Sequence, residues 1–191
     1  MVFLESAARP LMVVHAVAAA VLVGATTHHV VWCRGYLGGQ FGRYKGERRF
    51  ALVAAVAFAI TFILGNLLYP TYKVRVRAEY FDNPQAIAAE ARLRVEQHRA
   101  IDVAPRGPEP ATLGASLAPI AHLFDIKEHW VALGLAASLI LLALSRLAHP
   151  KDHPRVTALY LGLAVCVCAT AWLGAIVGLV VTSFRAVGGA T

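Results

Sequence analysis

The chain has 191 residues, of which 58% are hydrophobic and only 15% are charged, and its mean hydropathy is +0.60. A soluble domain is about half apolar and about a quarter charged, so this composition excludes an ordinary soluble globular domain. The length allows one compact unit rather than several domains. The net charge of +7 does not indicate nucleic-acid binding, because the basic residues flank apolar segments, as they do in membrane proteins.

Four apolar segments follow one another along the chain, each near the length of about 20 residues that crosses a hydrocarbon core of about 30 Å. The first covers about residues 11–33 and carries histidines, so we interpret it as a retained helix rather than a cleaved signal peptide. The second covers about residues 50–69 and is predicted to end at Pro70. The third covers about 122–147 and the fourth about 156–183. The sequence therefore predicts an all-α fold, a single integral membrane domain (1–191) of four transmembrane helices.

A long external loop is predicted between the second and third spans, over residues 71–121. Its segment 72–77 alternates in polarity as an extended segment does. Residues 85–101 are rich in Ala, Glu, Arg and Leu and predict a surface helix, whereas 104–119 are dense in Pro and Gly and predict a tether. We interpret the loop as a solvated cap over the bundle, with a docking surface for a partner as the alternative.

Arginine and lysine are concentrated in the two short loops of the predicted bundle. Between residues 71 and 128, by contrast, eight basic residues are balanced by eight acidic ones. Short basic loops stay in the cytoplasm, so both termini and the long loop are expected to face outward, into the periplasm if the membrane is a bacterial inner (cytoplasmic) membrane. The basic residues of the short loops are Arg34, Arg43, Lys45, Arg48 and Arg49 in the first, and Arg146, Lys151 and Arg155 in the third.

Histidines within the spans are the candidates for chemistry, because ionisable side chains at membrane depth are costly. His15 lies near the outer end of the first span, and antiparallel order brings the start of the third span to the same depth. There His122, Asp125 and His129 fall within about 60° of one another on one helix face. Facing helices that each offer an imidazole at matched depth can supply both axial ligands of a haem iron.

The first predicted ligand pair for haem b is therefore His15 with His129, and His122 is the substitute for His129. Basic side chains on the same side of the membrane could neutralise the haem propionates. These propionate partners are Arg75, Arg77 and Lys127.

A second haem is geometrically allowed at the cytoplasmic end of the bundle. There His29 or His28 would pair with a histidine of the last short loop, His149 or His153. Two other interpretations stay open: imidazoles of the outer cluster also suit a Cu, Zn or Fe ion, and a histidine near a span end often lies simply among lipid headgroups.

Three features of the chain resemble a known superfamily. They are His15-Ala-Val-Ala-Ala-Ala-Val-Leu-Val-Gly24 in the first span, Glu47-Arg48-Arg49-Phe50 at the start of a second span that ends in Gly65, and Lys127 at the head of the third. With them the chain resembles the HemJ-type protoporphyrinogen oxidases and the related CopD-like proteins, small four-helix membrane proteins associated with haem or copper. The resemblance implies that His15 is the haem-ligating or catalytic histidine and that Lys127 is the second functional residue. The additional histidines of the third span favour a cytochrome role instead.

The sequence leaves three functions open. The first is a cytochrome b-like membrane protein, an oxidoreductase or redox subunit that exchanges electrons with quinone or a periplasmic carrier. The second is a cofactor-free accessory subunit, docked through its outer loop and its Gly174/Gly178 face onto a larger respiratory or redox membrane complex. The third is a porphyrinogen oxidase or a copper-handling membrane protein.

Overall fold

The computed structural model describes residues 4–100 and 110–184, and helices account for nearly all of these two ranges. The long helices are α1 (Ala8–Cys33), α2 (Tyr44–Thr71), α3 (Pro84–Ala100), α4 (Pro110–Leu147) and α5 (Pro154–Phe184). A helix with wider, π-type turns, Tyr72–Phe81, continues α2 and is called the α2 extension below. Short 3-10 helices flank α1, at Glu5–Ala7 and Arg34–Gly38. The predicted spans fall within α1, α2, α4 and α5.

Local signals explain where several helices begin and end. Proline opens α3, α4 and α5, a position that suits it because its missing N–H has no helical partner there. The Asn83 side chain caps α3: its Oδ1 accepts hydrogen bonds from the N–H groups of Gln85 and Ala86 at 3.1 and 3.2 Å. The helix predicted in this region is thereby confirmed, up to Ala100.

The turn between α1 and α2 is set by Gly39. This residue has a left-handed backbone, with φ +71°. Its N–H bonds the Tyr36 carbonyl at 3.1 Å, and the N–H of Gln40 bonds the Gly35 carbonyl at 3.0 Å. This is the Schellman pattern that ends a helix, and glycine adopts the required backbone without steric penalty.

Several predictions for the segment between the second and third spans are wrong. The segment 72–77 is helical, not extended, and Pro70 lies inside α2 without ending it. The predicted tether, 104–119, is helical from Pro110 onward, and its residues 104–109 lie outside the described ranges. Within the described ranges the external loop expected at 71–121 is therefore mostly helix.

Tertiary packing explains the α2 extension. Tyr72, Val76 and Tyr80 recur at four-residue spacing and are each at most 6% exposed. They belong to an apolar cluster that also contains Val177 and Val181 of α5. Helical stability in proteins comes mainly from the packing of such a face, so burial of this face within the apolar cluster outweighs the local alternation of polarity.

Four helices, α1, α2, α4 and α5, form a bundle in which each packs against two neighbours. α1 and α4 occupy one diagonal of the bundle and both contact α2 and α5. All four helices are long and apolar enough to cross a membrane, by length and composition. Large apolar side chains cover their outer faces: Val13 is 63% exposed, Leu133 54% and Leu179 73%. Extensive exposed apolar surface of this kind is typical of a membrane-embedded protein.

The α2 helix and its extension together are longer than a bilayer core. They span 38 residues, or about 57 Å at the usual helical rise, against a core of about 30 Å. The extension carries the charged residues Lys73, Arg75, Arg77 and Glu79. Their position is consistent with an end that projects beyond the apolar layer.

Candidate cofactor cavity

A cavity of about 550 Å³ lies between the four bundle helices, a size typical of small-molecule and cofactor sites. It lies between two apolar clusters, since its lining includes Leu68, Tyr72 and Val181 of one cluster and Leu22 and Phe58 of the other. Each helix contributes small residues that leave room for a ligand to approach the backbone. They are Ala16, Ala19 and Ala20 of α1, Gly65 of α2, Ala132 of α4, and Gly174, Ala175 and Gly178 of α5.

Part of the cavity lining is exposed at the surface of the bundle. The exposed lining residues include Ala16, Asn66, Ala132 and Leu179. The Asn66 side chain donates a hydrogen bond to the Phe62 carbonyl of its own helix at 2.9 Å.

His15 is the one histidine that lines this cavity in the described part of the chain. Its ring packs against Gly65, where an added Cβ would come within 3.3 Å of His15 Cε1. Nδ1 of the ring is buried without a hydrogen-bond partner. Thr61 of α2 also lines the cavity.

Lys127 enters the cavity from α4, on the diagonal from His15. Its Nζ lies 3.4 Å from the position that a Cβ on Gly178 would occupy, and 5.1 Å from the centre of the Phe124 ring. The ammonium interacts electrostatically with His15 and Glu128. None of the ion pairs between described residues includes it. A ligand carboxylate could therefore pair with Lys127 without displacing a protein carboxylate.

Two tyrosines line the end of the cavity next to the α2 extension. The Tyr72 ring stacks on Phe124, with ring centres 3.8 Å apart, and its hydroxyl is buried without a hydrogen-bond partner. Tyr69 donates a hydrogen bond to Glu128 Oε2 at 3.5 Å. Buried polar groups are normally hydrogen-bonded. The hydroxyl of Tyr72 and Nδ1 of His15 thus give the lining an unused capacity for polar contacts, which fits a ligand that is apolar in its body and polar at its edge.

The sequence-predicted partners of His15 lie elsewhere. His129 is exposed, and its Nδ1 lies 2.9 Å from the backbone oxygen of Asp125. His122 has a side chain 76% exposed, with Nδ1 3.8 Å from Asp125 Oδ2. The three residues share a face of α4, but this face does not line the cavity. Lys127, two positions from both Asp125 and His129 and so about 160° around the helix from each, is the residue that the structure brings to the cavity with His15.

The two arginines predicted to contact propionates are paired with carboxylates. Arg75 bonds Glu5 at 2.6 Å and Glu79 at 2.8 Å. Arg77 bonds Asp125 and lies 3.4 Å from Asp82. Neither arginine lines the cavity. They connect the α2 extension to the chain before α1 and to α4, and of the three predicted propionate partners only Lys127 reaches the cavity.

The histidines of the second predicted haem site are engaged in separate contacts. His29 is 1% exposed, with Nε2 3.5 Å from the Tyr160 hydroxyl. The His28 ring packs on Trp32 and Phe50, at centre distances of 4.4 and 4.9 Å.

In the last short loop, His149 Nδ1 accepts a hydrogen bond from the Lys151 N–H at 3.0 Å, and its ring centre lies 4.0 Å from that of Tyr44. His153 is exposed. In the residues that the structure describes, no group of three or more His, Cys, Asp or Glu side chains could hold a metal ion.

The sequence does not predict that Tyr72 lines the cavity. It places Tyr72 in an extended segment of the loop, and no motif marks the residue. Its place in the lining follows from the helical continuation of α2. Gly65, by contrast, stands out in the sequence as a small residue in an apolar run, and the structure places it under His15.

Comparison with models of protein families, with curated proteins and with solved structures finds no match to this chain. The function must therefore be argued from the cavity and from the residues that line it. The resemblance to HemJ-type and CopD-like proteins stays a hypothesis.

Proposed function

We propose that this protein is an integral membrane protein that binds haem b in the cavity and takes part in electron transfer. The observation that carries the proposal is the joint placement of His15 and Lys127 in the lining of a cavity of about 550 Å³ with small-residue walls. Haem requires an apolar slot, an axial ligand and a cation near its propionates. This cavity offers all three.

His15 is the proposed axial ligand, and its ring lies against Gly65. Lys127 is the proposed partner of a propionate, because its ammonium lies in the lining and has no ion pair among the described residues. Bound haem would supply one-electron redox chemistry. A quinone, which is soluble in lipid, would exchange electrons with the haem at exposed lining residues such as Ala16 and Leu179.

The proposed topology has four transmembrane helices and both termini on the outer, periplasmic side of a cytoplasmic membrane. It is supported by the four apolar helices and by the basic residues of the two short loops. In this arrangement the cavity lies in the outer half of the bilayer, since His15 follows the first turns of α1 and Lys127 begins the apolar part of α4.

Visible absorption of the purified protein tests the haem. We expect a Soret band in the wild-type protein expressed with sufficient haem. His15→Ala should abolish or shift this band, because the axial ligand is lost. His129→Ala is the matched control, an exposed histidine on α4, and should leave the spectrum unchanged.

Two results would contradict the proposal. A wild-type protein that binds no haem even on reconstitution would exclude the cofactor. A Soret band that survives in His15→Ala but disappears in His129→Ala would show that the axial ligand is His129, on the exposed face of α4, and not His15.

Porphyrinogen oxidation is a second candidate, favoured by one observation. His15 and Lys127, the two residues that the resemblance implies, line the same cavity. The test is porphyrin fluorescence after the purified protein is mixed with a porphyrinogen and a quinone as electron acceptor. We expect the rate to fall in both His15→Ala and Lys127→Met. A rate no faster than that of protein-free vesicles would reject this candidate.

A further inference from the structure

The two short loops and the helix ends beside them give one end of the bundle a basic surface. Seven basic side chains are exposed there, whereas the same segments, 34–50 and 146–155, contain only two acidic residues. One of these two, Glu47, is 1% exposed and so does not offer its carboxyl to the surface. The exposed basic residues are Arg34, Arg43, Lys45 and Arg49 in the first segment and Arg146, Lys151 and Arg155 in the second.

An aromatic cluster lies at this end of the bundle, where α1 ends and α2 begins. It consists of the rings of His28, Trp32 and Phe50, whose centres are 4.4 to 4.9 Å apart. Trp32 lies against the first turn of α2, since a Cβ added at Gly46 would come within 3.2 Å of its Cζ3. His28 is exposed, and the other two residues are partly exposed. The cluster therefore presents packed rings at the surface of the bundle.

Arg43 connects the aromatic cluster with the basic surface. Its guanidinium carbon lies 5.6 Å from the centre of the Trp32 ring, within the range of a cation–π contact. The residue is exposed and belongs to none of the ion pairs between described residues. A guanidinium presents five N–H donors in a geometry that suits phosphate oxygens. Arg43 thus holds a positive charge beside the rings without a carboxylate to neutralise it.

Apolar side chains continue from the aromatic cluster toward the middle of the bundle. Val21, seven positions before His28 in α1, is 54% exposed, and Val53, three positions after Phe50 in α2, is 45% exposed. Residues at these spacings share a helix face. A molecule with an anionic head and long apolar chains matches this order of groups. A free phosphate, or an acidic segment of a soluble protein, would use the basic part alone.

We propose that Arg43 and the aromatic cluster form a binding site for a phospholipid with an anionic headgroup. The lipid phosphate pairs with Arg43, and the acyl chains lie along the exposed apolar faces of α1 and α2. The other basic residues of the short-loop end favour a headgroup that carries no cation of its own. None of the residues of this site lines the cavity, so the lipid site goes beyond the proposed haem function.

Quenching of Trp32 fluorescence by brominated lipids tests the proposal in nanodiscs. Replacing both other tryptophans, by Trp130→Phe and Trp172→Phe, leaves Trp32 as the one tryptophan of the chain. The bilayer is phosphatidylcholine with a variable fraction of brominated phosphatidylglycerol or, in parallel, of brominated phosphatidylcholine. We expect half-maximal quenching at a mole fraction at least about fivefold lower for the anionic lipid, the factor that one basic residue near the surface contributes. Both lipids are compared on the same preparation, so bound haem does not alter the difference.

Arg43→Gln in this background removes the proposed phosphate partner. We expect the mole fraction of phosphatidylglycerol at half-maximal quenching to rise about fivefold, while the value for phosphatidylcholine stays the same. Arg146→Gln is the matched control, because it removes the same charge from the same end of the bundle. Arg146 is exposed in the last turn of α4, the helix on the diagonal from α1, and its replacement should leave the quenching unchanged.

Two results would overturn the proposal: equal quenching by the two brominated lipids, or an equal loss of the preference in Arg43→Gln and Arg146→Gln. The second would show that net charge, and not a site at Arg43, selects the lipid. Native mass spectrometry of the wild-type chain, released from a bilayer with equal amounts of the two lipids, does not depend on the folding of any variant. We expect phosphatidylglycerol to be retained, and equal retention of both lipids would also contradict the site. None of these measurements requires bound haem, so the lipid site and the haem proposal can fail separately.

Discussion

Two glycines determine which polar side chains fit at the cavity. Gly65 leaves space for the ring of His15, since a Cβ there would come within 3.3 Å of its Cε1. Gly178 does the same for the ammonium of Lys127, at 3.4 Å. The distance at Gly65 is shorter than ordinary van der Waals contact, and the distance at Gly178 is at its lower limit, so a larger residue at Gly65 would press on the imidazole ring. His15 and Lys127, on the two helices of one diagonal of the bundle, thus each lie against a glycine of a neighbouring helix.

The charge of Lys127 gives a prediction at this scale. Lys127→Met keeps most of the apolar length of the side chain but removes its charge. We expect the Kd for haem to rise about tenfold or slightly more, because one charge-assisted contact of about 1.5 kcal/mol is lost. The measurement is a titration of the apoprotein with haem in nanodiscs.

Lys151→Met is the control for that titration. Lys151 is exposed in the loop at the opposite end of the bundle, and its replacement should leave the affinity unchanged. An equal loss in both variants would show that the net positive charge, rather than a contact in the cavity, governs binding.

At the scale of the helices, α4 presents two chemically different faces. His122 and His129 lie on an exposed face, while Lys127 lies on the inner one. α4 packs closely against its neighbours at Gly134, where an added Cβ would lie 2.6 Å from Phe58 Cζ and 2.9 Å from Thr170 Cβ. Atoms do not approach so closely, so a larger residue would fit there only if the neighbouring side chains moved.

The close approach at Gly134 predicts the result of a single substitution. Gly134→Ala should lower the free energy of unfolding by about 1–3 kcal/mol, as is usual for overpacking in a tight core. Gly162→Ala is the matched control, since Gly162 is a helical glycine of α5 with nothing within 4 Å of an added Cβ. We expect it to change stability by at most about 1 kcal/mol, in the stabilising direction. Unfolding in a mild detergent, followed by circular dichroism, would show the difference, and equal stability of the two variants would contradict the packing.

At the scale of the whole molecule, charge is distributed unevenly between the two ends of the bundle. In the part of the chain that the structure describes, the basic residues of the short loops belong to none of the ion pairs, whereas the other end carries ion pairs such as Arg75 with Glu5 and Arg77 with Asp125. Ion pairs near the surface contribute about 0–1 kcal/mol each. They affect how the α2 extension is aligned more than they affect overall stability.

The proposed topology predicts which surface positions a membrane-impermeant thiol reagent can reach. In intact cells or spheroplasts, Ala78→Cys should be labelled, because position 78 of the α2 extension is exposed. Lys151→Cys should be labelled only after the membrane is opened. Cys33 is buried, and Cys166 and Cys168 are partly buried within α5, so the parent chain should show little background. The opposite labelling pattern would show that the protein has the opposite orientation in the membrane. Labelling of both sites in intact cells would contradict the prediction of four transmembrane helices.

The amino-acid sequence alone determined the four apolar helices, the surface helix α3 and the prominence of His15, because apolar length, proline positions and rare ionisable residues within apolar runs are local properties. Packing decided the rest. Whether 72–77 is extended or helical depended on the burial of Tyr72 and Val76 within an apolar cluster. Whether His129 or Lys127 faces the cavity depended on how α4 is rotated within the bundle. The burial of Glu47 could not be predicted from the sequence either, because a glutamate in a first helical turn has the same local sequence whether it faces water or the protein interior.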